Sequence, residues 1–162
     1  MSESHAPLDR AAVFEIVRAS LADILEIDGA THGVLATVPA GEWPGALSYN
    51  PVNNWVYCPN WNDQTVTVID GATNSVIATV PVGAQPSDVC YNPVQNRAYV
   101  PNSGDGTVTV IDGATNNVIT TVPAGVGAGR VLHNPAAGKV YCSNLWEGTV
   151  TVIDAATNGV VA

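Results

Sequence analysis

Thr107-Val-Thr-Val-Ile-Asp-Gly-Ala-Thr-Asn116 decides the fold, because its central phrase returns three more times along the chain. Ile27-Asp-Gly-Ala-Thr31, Ile69-Asp-Gly-Ala-Thr73 and Ile153-Asp-Ala-Ala-Thr157 place an aspartate at 28, 70, 112 and 154, a constant interval of 42 residues. Three units, 29–70, 71–112 and 113–154, align without a gap, and a fourth begins at Ala155. A strand-rich period near 40 points to propeller blades, one four-stranded sheet per repeat.

Each unit supplies four strand candidates separated by turn chemistry. In the second they are Val76–Val80, Ser87–Tyr91, Arg97–Val100 and Thr107–Ile111. The run Thr-Val-Thr-Val-Ile puts β-branched residues on both faces, as a strand packed between two neighbouring sheets requires. Asp-Gly-Ala-Thr-Asn is a turn with an Asx-type start, and Asn50-Pro51, Asn92-Pro93 and Asn134-Pro135 mark a second turn in every unit.

Composition agrees with this reading. Of 162 residues 46% are hydrophobic, enough for a core, so disorder is excluded. Gly (15) and Pro (11) are frequent and only 12% of residues are charged, a balance of short strands and turns. The formal charge of -9 repels phosphate backbones and anionic membrane surfaces, which argues against nucleic acid and membrane partners. The start lacks a basic stretch leading into an apolar one, and no apolar run reaches the roughly 18 residues of a membrane span, so the expected location is cytoplasmic. Cys58, Cys90 and Cys142 form no CxxC and are expected to be buried free thiols.

The wording Tyr99-Val-Pro-Asn102, then Thr107 to Asp112, Ala-Thr-Asn, Val-Ile-Thr-Thr-Val-Pro and Gly125 resembles the YVTN-type β-propeller repeat of surface-layer and related bacterial and archaeal proteins. The resemblance covers residues 27–162 and spans adhesion-like, binding and enzymatic relatives. It implies an all-β fold with three complete four-stranded blades at about 44–80, 86–122 and 128–162. Residues 23–38 would be the outer two strands of an incomplete preceding blade.

The segment 1–26 reads differently. From Pro7 to about Leu25, Phe14, Val17, Leu21 and Ile24 recur at three- and four-residue spacing, which predicts one amphipathic N-terminal α-helix. Its wording resembles the opening helix of acyl carrier domains, but the Asp-Ser-Leu that carries their prosthetic group is missing and Ser20 falls within the helix. The expected role is to cover a blade edge or a second copy.

Positions where the three units disagree are the better candidates for an individual function. They gather where the loops between blades meet the turn between a blade's second and third strands, on one rim. There Trp43, Trp61 and Trp146 stand with Asp63, Asp105, Glu147 and Arg130, a set suited to a sugar or small cationic ligand by stacking and cation–π attraction. His133 replaces Tyr49 and Tyr91 on the innermost strand and is the weak catalytic candidate for a lyase or hydrolase, with Glu147 or Asp105 as partner. No metal and no cofactor is implied: the histidines lack ligand spacing, and Gly125-Val-Gly-Ala-Gly129 lacks the Lys-Ser/Thr of a phosphate loop.

The leading expectation is thus a non-catalytic binding or assembly module whose rim meets a glycan, a small cation or a protein. An enzyme centred on His133 and a recombined fragment without independent role are the alternatives. Three blades and part of another cannot close a ring, which predicts a homodimer that does.

Overall fold

The computed structural model describes residues 23–161, and all its regular structure is antiparallel strand. Strands β1 (Asp23–Ile27) and β2 (Val34–Pro39) form an N-terminal pair. A first sheet orders β3 (Ser48–Asn50), β4 (Trp55–Asn60), β5 (Thr65–Asp70) and β6 (Ser75–Pro81) side by side. The second repeats the pattern with β7 (Cys90–Asn92), β8 (Arg97–Asn102), β9 (Thr107–Asp112) and β10 (Val118–Pro123). The third contains β11 (Ala128–Asn134), β12 (Lys139–Asn144) and β13 (Thr149–Asp154).

Two sequence expectations are corrected here. The third sheet has three strands where four were expected, because the counterpart of Val118 is Val160 and it makes a single bridge to Ile153. The helix expected over 1–26 gives way to strand from Asp23 onward, since the Asp23–Ile27 backbone is committed to the ladder with β2. The remainder of that helix lies outside the described residues.

The core is laid down by alternation along β4 and β5 and their copies. Tyr57 pairs with Val68 and Pro59 with Val66, so these side chains share one face; Val56 pairs with Ile69 and Cys58 with Thr67 on the other. The first set packs against Ala98, Val100 and Ile111 of the second sheet. The second set packs towards β2, where Val38 joins Val56, Cys58 and Ile69. One repeat later, Tyr99, Val108 and Val110 meet Val131, Val140, Cys142 and Ile153 of the third sheet. Sheets therefore stack face to face in chain order, each buried interface built from the same alternation.

Turns repeat as faithfully. Asp28, Asp70, Asp112 and Asp154 each accept the backbone N–H groups two and three residues on, at 2.6–3.1 Å. The residue four places after each aspartate is left-handed every time: His32, Asn74, Asn116 and Asn158 have φ of 56–59°. Asparagine tolerates that region better than most residues, which explains its recurrence. Among the described residues no helix is long and apolar enough to cross a membrane.

Candidate functional site

The rim of variable residues is built from one backbone clasp used three times. Trp61 N–H donates to Trp43 C=O at 3.1 Å and Asn62 N–H to Glu42 C=O at 3.3 Å. Ser103 and Gly104 donate likewise to Gln85 and Ala84, and Leu145 and Trp146 to Gly127 and Val126. Each loop entering a sheet is thereby tied to the turn between that sheet's second and third strands. The clasp demands a left-handed residue at the same place in every repeat: Trp43 and Gln85 with φ of 57° and 56°, Gly127 with 76°.

Beneath the clasp lies a buried amide. Asn60, Asn102 and Asn144 donate from Nδ2 to two threonine hydroxyls each, Thr65 and Thr67, Thr107 and Thr109, Thr149 and Thr151, at 2.9–3.0 Å. The side-chain oxygen of Asn60 also accepts the N–H of Gly41. These side chains are fully or almost fully buried and hold the rim in register.

The rim residues singled out from sequence divide into two groups. Asp63 Oδ2 accepts the N–H of Glu42 at 2.7 Å, and Asp105 Oδ2 accepts that of Ala84 at 2.6 Å. Glu147 holds the same position in the third repeat, where a Cβ on Gly125 would lie 2.5 Å from its Oε2. Their carboxylates are thus turned to the protein's own loops. Trp43 and Trp146, by contrast, are 73% and 67% exposed, and Trp61 is half-buried. Trp43 and Trp61 share one clasp, with Asn62 Nδ2 donating to Glu42 Oε2 beside them. Trp146 belongs to the third clasp, its ring close over Gly127.

Arg130 lies on β11 with an exposed side chain, 3.8 Å from Asp88 Oδ1. Asp88 also accepts the N–H of Val131 at 3.0 Å, and Ser87 Oγ donates to Gly129 C=O at 2.7 Å. These two links stitch the second sheet's inner edge to the third. The stitch at Asp88 is not legible from the repeat, because Ala46 holds that place in the first unit and Arg130 in the third.

His133 stands apart. It pairs with Val140 on β11, whereas the clasp begins beyond Ala128, five residues and about 17 Å away along the strand. The structure does not bring it to Glu147 or Asp105. Partial burial holds its imidazole below the ordinary histidine value, so it is mainly neutral at pH 7. In the other repeats this place is a tyrosine donating to a left-handed asparagine: Tyr49 to Asn54 at 3.0 Å and Tyr91 to Asn96 at 2.5 Å. Both partners change together in the third, to His133 and Gly138. That coupled pattern, 42 residues apart, was the signal for a scaffold pair. The described residues hold no group of three His, Cys, Asp or Glu able to bind a metal.

No protein-family model matches the chain, and no curated protein sequence does. Among solved structures it is similar to hydrazine synthase of Kuenenia stuttgartiensis, with a TM-score of 0.78 and 24% identity over 87% of this chain and 42% of that one. It is also similar to a functionally unknown protein of Desulfotomaculum acetoxidans DSM 771, with a TM-score of 0.72 and 15% identity over 86% of this chain and 47% of the other. The likeness is one of fold, an all-β, propeller-like stack of antiparallel sheets. The chain spans less than half the length of either neighbour.

Proposed function

We propose that this is a non-catalytic binding module of the YVTN-type propeller kind, engaging a saccharide or a small organic cation at the rim through Trp43 and Trp61. One observation carries the reading: a 73%-exposed tryptophan occupies a left-handed backbone position that the third repeat gives to glycine. Holding a bulky residue there costs about 1–2 kcal/mol relative to the right-handed region, and its exposed ring recovers little by packing. A contact with a ligand is what such a placement favours.

The chemistry fits a flat or cationic ligand. An indole face attracts the C–H face of a pyranose or a quaternary ammonium through its negative quadrupole. Glu42 lies beside the pair and brings an acceptor for a hydroxyl or a countercharge for a cation. Trp146 and Arg130 would extend the surface towards the third sheet. Asp63 and Asp105 would serve by fixing the loops that carry Glu42 and Ala84, whose backbone N–H groups they accept.

The test is titration of intrinsic fluorescence and of indole N–H resonances with neutral oligosaccharides and, separately, tetramethylammonium. Saturable shifts at two indole signals, lost in Trp43→Ala, are expected from one of the two series. Unperturbed indoles at millimolar concentrations of both would overturn the reading.

A further inference from the structure

We infer that the rim takes a linear, neutral oligosaccharide lying across all three clasps, with an indole at each end and the Gln85 carboxamide between them. The inference rests on the binding reading above and extends it from a single contact to a row of subsites. The three clasps are neighbours. A Cβ on Gly45 would lie 3.8 Å from Ser87 C=O, and Ser87 Oγ donates to Gly129 C=O at 2.7 Å. Positions 45, 87 and 129 each stand two places after a residue that accepts a clasp bond, namely Trp43, Gln85 and Gly127. These contacts therefore set the clasps side by side in chain order.

What each clasp presents to solvent differs, and the differences form a series. In the first, the exposed Trp43 occupies the accepting position itself. In the third that position is Gly127, and the exposed Trp146 lays its ring there instead, since a Cβ on Gly127 would fall 2.9 Å from Trp146 Cδ2. Two different sequence positions thus bring an indole to equivalent places. The middle clasp has no aromatic residue. Gln85 is exposed and left-handed like Trp43, and its Oε1 would be 3.2 Å from a Cβ on Gly104. That Cβ would also stand 3.0 Å from Ala84 Cβ and 3.2 Å from Ala84 C=O, so a glycine at 104 keeps the middle clasp low. Along the rim the order is indole, a low step carrying a carboxamide, and indole.

An oligosaccharide matches that order. Its C–H faces stack on indoles, and its hydroxyls pair with a carboxamide, which both donates and accepts. Packed sheets lie about 10 Å apart, which puts the outer clasps roughly 20 Å from each other, the length of about four linked pyranoses. The exposed carboxylates of Glu42, Asp63, Asp105 and Glu147 border the rim and the whole chain carries -9, which favours a neutral polymer over an acidic one. A small organic cation fills one clasp and leaves the far indole unused. Two stacking contacts joined in one ligand reinforce each other through effective concentration, so ligand length sets affinity.

The test titrates the full chain with β-1,4-linked oligomers of glucose and of N-acetylglucosamine of increasing length, following the indole N–H resonances of Trp43, Trp61 and Trp146. Oligomers of about four units or more should shift Trp43 and Trp146 with one shared dissociation constant, at least about 10-fold below that of the dimer. Trp146→Ala should bring the long oligomer down to the affinity of the dimer. Gln85→Gly, which keeps the left-handed backbone as Gly127 does, should weaken the long oligomer roughly 3- to 10-fold. Should Trp146→Ala misfold, Gln85→Gly decides alone. Binding at Trp43 that is independent of length, with Trp146 unmoved, would overturn the spanning mode and leave the single-contact reading in place. Separate constants for the two ends would overturn it as well. Indoles that shift with tetramethylammonium but with no oligomer would remove the oligosaccharide and keep the rim contact, whereas indoles silent to both would remove both.

Discussion

Trp61 N–H donates to Trp43 C=O across 3.1 Å, and the residue that accepts this bond is itself left-handed, with φ of 57°. The clasp and the strain are one feature. Gly127 makes the same bond to Leu145 with no Cβ to accommodate.

Trp43→Gly is therefore expected to keep the clasp and raise the unfolding free energy by about 1 kcal/mol. Urea denaturation followed by circular dichroism measures it. A loss of stability of similar size would show that the Trp43 ring packs against the rim and would weaken the binding proposal at the same stroke.

Removing the amide beneath the clasp should act in the opposite direction. Asn102 is fully buried and satisfies two threonine hydroxyls, of which Thr109 is also buried. Asn102→Ala should cost about 3 kcal/mol, by losing both bonds and leaving hydroxyls without a partner. Thermal melts that move by less than about 2 °C would refute that role.

The repeated turns make stability fall in acid. The N–H groups of Thr73 and Ala72 hold the Asp70 carboxyl below its ordinary value, and those of Thr31 and Ala30 do the same for Asp28. For Asp154 the Lys139 ammonium at 2.6 Å is the main cause, aided by Thr157. A carboxyl whose folded value lies under its unfolded value of about 3.9 stabilises fully above that pH, and the contribution drains as pH falls through the folded value. Urea midpoints should thus decline below about pH 4. In Asp28→Asn/Asp70→Asn, where an amide oxygen still accepts the turn bonds without titrating, the decline should be shallower. An identical slope in both proteins would contradict this.

The thiols should be silent until the chain unfolds. Burial pushes Cys58 and Cys90 up to about 12 and Cys142 to about 11, with the charge of Asp88 adding to the effect at Cys90. A chromogenic disulfide at pH 8 should label none of the three at a measurable rate in native buffer and all three at once in denaturant. Rapid labelling of one thiol in the native protein would mark its sheet as open.

Much of the architecture was legible because the chain states it several times. The phrase around Asp70 and its copies placed β5, β9 and β13, and the units of 42 residues placed the sheets that contain them. The third sheet's missing strand was not legible, since strand propensity at Val160 and Val161 carries no information about how many ladder bonds they complete. At the rim an acidic residue recurs at 63, 105 and 147, as a scaffold position does, beside tryptophans that do not recur. What separated them was the direction of the side chain, towards the N–H groups of Glu42 and Ala84, which depends on a left-handed residue at 43 and 85 that no propensity predicts for tryptophan or glutamine.

The side-chain links between sheets among the described residues all run from one sheet to the next: Ser87 to Gly129, Asn50 to Gly113, Arg97 to Asn158. Seen as mechanics, this is a stack loaded in series. A pull on the two ends of a single chain passes through every interface in turn, with no strut across the stack to share the force. The third sheet, covered on one face and held at its outer edge by a single bridge, would peel first and bare the face of the second. Rupture would then travel towards the N-terminus sheet by sheet, as a sequence of similar steps spaced by the contour length of one repeat.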